Sequence, residues 1–312
     1  MKKYSVVIIL AFVWAAYYYS LGISNKQINP FATGVFIRFF TFVILTMVMA
    51  RGGKLKQLKV EKKFVPRLIL IGCMGFLLDI TAFLGSRYGN PATGSILLKT
   101  DVIMIGILSA VLYKQRLSAK EWTLVGVMLT GVALVLGIRP GNISFHPTDI
   151  CFLLSAFFVS VNAFLIKSVQ RNNVPNNVIA YYNNFVTMLF FCAATAIAGV
   201  GSDVTAAFGS APLLAALAVG ALGQFFVYIF YYRALQTLPV WNVKVVLLLI
   251  PIITLFYDFI FAKAVPTPTM LLGTAIVLTS AYLVIKIQSK KADGSKADET
   301  NECTFGISTG SR

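Results

Sequence analysis

The sequence predicts an all-α polytopic membrane protein: ten transmembrane helices forming two inverted five-helix repeats around a central cavity, with both termini cytoplasmic. Three observations carry this expectation: scarce charge, the length of the apolar blocks, and an internal duplication. Of 312 residues, 58% are hydrophobic and 12% charged, about half the 25% typical of soluble domains. The apolar residues fall in blocks of roughly 20, the length that crosses a bilayer core as a helix. Barrel strands would show shorter, alternating segments, and none appear.

The blocks give spans at about 5–22, 31–50, 67–87, 92–113, 121–138, 149–168, 178–199, 211–236, 239–261 and 267–288. The first follows Lys2 and Lys3 as a signal peptide would, but it is long for an h-region, and its AYYYS flank lacks a small-x-small cleavage pattern. It is read as a span. The tail 289–312 is polar and rich in small residues, as expected of a disordered cytoplasmic extension.

The net charge of +16 does not point to nucleic acid, because most of the Lys and Arg sit between the blocks. With the N-terminus inside, the inner segments hold Lys2, Lys3, the stretch RGGKLKQLKVEKKFVPR (51–67), Lys114, Arg116, Lys120, Lys167, Arg171, Arg233 and the C-terminal lysines. The outer ones hold only Lys26, Arg87, Arg139 and Lys263. Retention of basic residues in the cytoplasm explains this asymmetry and puts both ends inside. Cys73, Cys151, Cys192 and Cys303 show neither metal-ligand nor disulfide spacing.

The duplication divides the chain at 1–140 and 148–288. GCMGFLLDITAFLGSRYGNP (72–91) returns as GALGQFFVYIFYYRALQTLP (220–239), with Gly72, Gly75 and Pro91 matching Gly220, Gly223 and Pro239 at one offset. One residue later in register, Val102 matches Pro251 and Lys114 matches Lys263. NPFATGVFIRFF (29–40) and VPNNVIAYYNNF (174–185) each open the second span of their half. Five spans is an odd number, so the halves insert with opposite orientation. Inverted repeats of this kind are a transporter architecture, with a site at the repeat interface.

Over residues 1 to about 288 the chain resembles the drug/metabolite transporter (DMT) superfamily, EamA type. LLLIPIITLFYDFIFAKAV (247–265) has that family's fourth-span proline, Pro251, but Ala264 where a Glu is expected; LLKTDVIMIGILSAVLYKQRL (97–117) has Val102 and Gln115 at those places. TLVGVMLTGVALVLG (123–137) fits the glycine-containing fifth span. The resemblance implies a central cavity lined mainly by spans 1, 3, 4, 6, 8 and 9, and small organic substrates, commonly exported from the cytoplasm.

Candidate site residues come from charges inside the spans, where an ionisable group costs on the order of 3 kcal/mol at the midplane unless it meets a partner or water. Lys99 and Asp101 lie near the centre of span 4, Asp79 of span 3 and Arg38 of span 2. Two residues turn about 200° around a regular helix, so Lys99 and Asp101 are expected to point apart. The expectation is that Lys99 faces the cavity near Asp79, and that Asp101 pairs with Arg38 on the far side. Buried pairs that only fix helix packing are the alternative, the stronger one for Arg38 and Asp101. Asp79 or Asp101 is also the candidate for proton coupling.

On span 9, Lys244, Pro251 and Asp258 share one face, though Lys244 can snorkel and Asp258 can reach the outer headgroups. Ser155 and Asn162 align on span 6, with Ser160 opposite, and Gln224, Tyr228 and Tyr231 align on span 8. Such stripes bond either a substrate or a neighbouring helix. Trp14, near the centre of span 1, stacks on substrate or packs in the core. Tyr17, Tyr18 and Tyr19 fit an interfacial aromatic belt, and Tyr181, Tyr182, Asn183 and Asn184 fit helix packing.

There is no Walker loop or HExxH, and the one histidine, His146, falls in an outer loop. Asn142-Ile143-Ser144 matches a glycosylation sequon, a triplet common by chance. No metal, cofactor, enzymatic activity or nucleic-acid partner is expected. The expected function is secondary transport of small organic metabolites, amino acids or related compounds, by alternating access and in the export direction, in a cell (inner) membrane, as monomer or homodimer. Lys99 is the counter-charge to a carboxylate or phosphate. Exchange of phosphorylated or nucleotide-linked sugars is the alternative. A non-transporting scaffold or lipid-modifying enzyme is the alternative of another class.

Overall fold

Asn29-Pro30 shows how local chemistry sets the helix boundaries. The Asn29 side chain accepts from the Phe31 N–H at 3.0 Å, and Pro30 takes the first helical position, where no donor is needed. Ser118 and Glu121 form a reciprocal capping box at the start of another helix. The structure, a computed structural model, describes residues 2–88, 97–113, 118–138, 147–261, 263 and 265–287, without the side chains of Lys2, Lys3, Tyr113, Asp149 and Asp258.

The main helices are α1 (Lys2–Gln27), α2 (Pro30–Arg51), α3 (Val65–Tyr88), α4 (Asp101–Tyr113), α5 (Ala119–Val135), α6 (Ile150–Gln170), α7 (Asn176–Ile197), α8 (Ala211–Thr237), α9 (Val240–Phe261) and α10 (Pro268–Ile287). Among the described residues, eight are long and apolar enough to cross a membrane. The other two, α4 and α5, measure 13 and 17 residues. They occupy the places where the fourth and fifth spans are expected. Lys114, Gln115, Arg116, Arg139, the sequon at 142–144, His146, Pro91, Ala264, Cys303 and the tail 289–312 lie outside the described residues.

The fourth span departs from the continuous helix expected over 92–113. Residues 97–99 are helical, the chain turns at Thr100, and α4 begins at Asp101. The Thr100 hydroxyl donates to the Leu97 carbonyl at 2.6 Å, a local bond that competes with the helical ladder. Helix α9 is interrupted too: Val240–Val246 is α-helical, Leu247–Leu249 forms a 3-10 turn, and Ile250–Phe261 resumes the α-helix. Pro251 therefore sits in the first turn of a helical segment, where its missing N–H breaks no bond. On the repeat alignment, Thr100 falls opposite Leu249, so both interruptions occupy the same place.

Packing runs mainly between the first five helices and the last five. Helix α1 packs on α8, α3 on α6 and α7, α2 on α7 and α8, and α4 on α6 and α9. Gly131 of α5 and Gly273 of α10 meet at their backbones, since a Cβ at Gly273 would come within 2.6 Å of the Gly131 carbonyl. Small residues permit such close approach between membrane helices. Exchanging each helix with the one five places on turns α1–α8 into α6–α3, and leaves α2–α7, α4–α9 and α5–α10 unchanged.

Polarity is distributed inside out. Ile197, Leu271, Leu222 and Phe39 are exposed, while Arg38, Asp79, Lys244, Gln224, Asn183 and Asn184 are buried. In water each exposed Leu or Ile would forfeit about 1.5–3 kcal/mol of burial. In a bilayer it costs nothing, and buried polar side chains replace hydrophobic contact as the specific link between helices. The chain is an integral, multi-pass membrane protein.

Candidate functional site

The interrupted helices α4 and α9 bring their central residues to a cavity in the middle of the bundle. It has about 90 Å³ of room for the centres of water molecules. Its wall is built from α1, α3, α4, α6, α8 and α9, the six expected spans, joined by Arg38 of α2 and Asn183 of α7. Lys99, Asp79, Trp14, Asn162, Gln224, Tyr228, Lys244, Asp101 and Arg38 all line it, as do Ser155 and Tyr231.

The ion pairs differ from those expected. Arg38 pairs with Asp79, and Lys244 with Asp101 at 2.9 Å. The expected partners, Lys99 with Asp79 and Asp101 with Arg38, rest on a regular helix through residues 99–101. The turn at Thr100 removes that premise, so Lys99 and Asp101 reach the same cavity rather than opposite sides. The α4–α9 contact then puts Lys244 beside Asp101. Lys244 is buried, so it does not snorkel. The side chain of Asp258 lies outside the described residues.

Arg38 is held on several sides. Besides Asp79 it donates to the Tyr228 hydroxyl and, at 3.5 Å, to Asn184 Oδ1, while Asn184 Nδ2 donates to the Arg38 carbonyl at 2.9 Å. This network joins α2, α3, α7 and α8. Asn183 donates to the Tyr232 hydroxyl at 2.7 Å and accepts from Thr187. Lys244 lies 5.5 Å from the Trp14 ring centroid and 5.6 Å from that of Tyr231, within cation–π range. Trp14 and Tyr231 pack edge to face at 5.2 Å.

Other residues divide. Ser160 bonds the Ala156 and Asp101 carbonyls and is absent from the wall, in keeping with helix packing. Tyr182 donates to the Leu58 carbonyl, and Tyr181 packs on Phe42. Tyr17 and Tyr18 do not belong to an aromatic belt: both line the cavity. Only Tyr19 stands apart, beside Phe261. Tyr232 is a wall residue that the sequence reading passed over, although it sits one helical turn from Tyr228 on α8.

Several wall groups hold bonding capacity in reserve. Among the described residues, Asn162 Oδ1 and the hydroxyls of Tyr17 and Tyr231 are buried without a hydrogen-bond partner, an unusual state for buried polar atoms. Lys99 makes neither an ion pair nor a hydrogen bond there, whereas Arg38 and Lys244 make both. No group of three or more His, Cys, Asp or Glu able to hold a metal occurs among the described residues.

Comparison with known proteins gives a consistent result. Residues 1–137 and 146–286 each match the EamA-like transporter family. An uncharacterized transporter of Archaeoglobus fulgidus is 23% identical over 289 residues, covering 90% of this chain and 96% of its own length. A second from the same organism is 21% identical over 92% of this chain and 99% of its own. A solved crystal structure shares the fold with a TM-score of 0.74 at 18% identity, covering 93% of this chain and 98% of that one.

Proposed function

This chain belongs to the EamA-like transporter family, and on that premise we propose that it is a secondary transporter moving small organic metabolites by alternating access. The observation that carries the proposal is a cavity holding charged and aromatic side chains, walled by helices from both halves, inside a bundle whose outer surface is apolar. The two family matches, and a packing pattern that survives exchange of each helix with the one five places on, support a pair of inverted repeats. In such an arrangement the halves exchange conformations, and the shared cavity opens first to one side and then to the other. The paired interruptions of α4 and α9 support bending there, since mid-helix 3-10 turns often mark hinges. With the basic 51–67 stretch inside, both termini are cytoplasmic; export is what the family resemblance implies. The membrane is the cell (inner) membrane.

Reconstituted vesicles loaded with a labelled metabolite pool test the proposal, with and without a pH gradient. Time-dependent movement of one or more components above protein-free vesicles is expected. Faster movement with the gradient would show proton coupling, for which Asp79 and Asp101 are the candidate carriers. If no component moves in either condition, transport by this cavity is wrong.

A further inference from the structure

The wall of the cavity carries five ionisable groups of opposite kinds, and their pairing leaves a remainder. Asp79 is taken by Arg38, and Asp101 by Lys244. The Arg38 guanidinium is further engaged by Tyr228 and Asn184, and the Lys244 ammonium lies within cation–π range of both the Trp14 and Tyr231 rings. Lys99 alone has no bonding partner among the described residues. Residues 89–96, which lead into it, contain no charged side chain. The tyrosines of the wall add none. Among the described residues the cavity therefore carries one positive charge in excess of its carboxylates, in surroundings where an unpaired ion is expensive.

We propose that the cargo is an organic monoanion: one carboxylate, no ammonium group, and a small apolar or aromatic body, with the carboxylate at Lys99. The inference rests on the reading of this cavity as the transport site and narrows the substrate class within it. A single carboxylate cancels the remainder and leaves the bound cavity neutral. A zwitterionic amino acid does not, because its ammonium group would need a carboxylate and both are occupied. A phosphate ester with two charges leaves an excess negative charge with no second free cation to meet it. The body of the cargo meets Trp14, Leu98, Phe83 and Leu248, all on the wall. Asn162 Oδ1, buried without a donor, accepts from a hydroxyl on the cargo where one is present.

The test uses the full-length protein in detergent and four probes that share a phenyl body and differ in charge: phenylacetate, phenylalanine, phenethylamine and phenyl phosphate. Calorimetric titration near neutral pH is expected to show phenylacetate binding at least about tenfold tighter than the other three, a difference of about 1.4 kcal/mol. Lys99→Gln is expected to weaken phenylacetate by about tenfold or more, and Lys99→Arg to retain most of its affinity. Should Lys99→Gln not fold, the four-probe ranking on the wild type and on Lys99→Arg decides alone. Equal or tighter binding of phenylalanine or phenyl phosphate overturns the proposal. So does unchanged phenylacetate binding in Lys99→Gln, or no binding by any probe. Vesicle transport of a metabolite pool without this preference defeats only the monoanion assignment. Phenylacetate preference without transport by vesicles defeats only the transport reading.

Discussion

The two halves use one framework and different chemistry. In the first, the middle of α2 carries Arg38, which bonds α3 through Asp79. The repeat alignment puts Asn183 of α7 opposite Arg38, and Asn183 bonds α8 through the Tyr232 hydroxyl. The same connection between neighbouring helices is thus ionic in one half and neutral in the other. The interrupted helices differ likewise. Lys99 stands just before the turn in the first half, and the aligned residue of the second is Leu248, which lines the same cavity. The second half contributes Lys244, but that charge is spent on Asp101 of the first. The first half thus holds a cavity charge, Lys99, without a bonding partner among the described residues, at a place where the second half has Leu248.

Substitutions can break or sharpen this contrast. The largest effect is expected from Arg38→Met, which leaves the Asp79 carboxylate buried without its partner. Loss of one member of a buried pair costs about 3–5 kcal/mol, read as a lower unfolding midpoint in detergent or as failure to accumulate in the membrane. The double substitution Arg38→Met, Asp79→Leu should recover most of that loss. Equal damage in single and double variants would show that shape rather than charge matters at this contact.

Lys99→Leu writes the residue of the second half into the first. It removes an unpaired charge from the bundle, so stability should rise by about 1–3 kcal/mol while phenylacetate binding disappears. A fall in stability would mean that Lys99 is held by the fold and is not free for cargo. The smallest change is expected from Asn183→Ala, the neutral counterpart of the Arg38 variant. Hydrogen bonds between membrane helices are worth about 0.6 kcal/mol on average, so the loss should stay near about 1 kcal/mol in the same unfolding measurement. A loss matching that of Arg38→Met would erase the distinction between the ionic and neutral connections.

Much of the fold was legible because lipid imposes a coarse rule: apolar blocks of sufficient length become helices. Gly72, Gly75, Gly220 and Gly223, on which the expected repeat rests, hold positions where side chains of neighbouring helices approach closely. Charge within a span was a sound guide to the cavity wall, since a polar side chain has no other refuge there. The pairing was not legible, for two reasons. It depends on Thr100 interrupting a helix that composition alone portrays as continuous. It also depends on α4 lying against α9, a contact between halves, whereas partners for Lys99 and Asp101 were sought within one half. Depth along a helix alone suggests an interfacial belt for Tyr17 and Tyr18, whereas the rotation of α1 turns both to the cavity.

The turn at Thr100 has a consequence for how such a molecule acquires new cargo. The residues that hold the bundle together are spread over both halves and many helices. Lys99, without a bonding partner among the described residues, stands just before the turn at Thr100, and residues 89–96 contain no charged side chain. On the monoanion proposal, changing residue 99 alone would alter what the cavity attracts while leaving the Arg38 and Lys244 contacts in place. A lineage built on this plan can diversify its diet through a handful of codons, without rebuilding the scaffold that keeps it in the membrane.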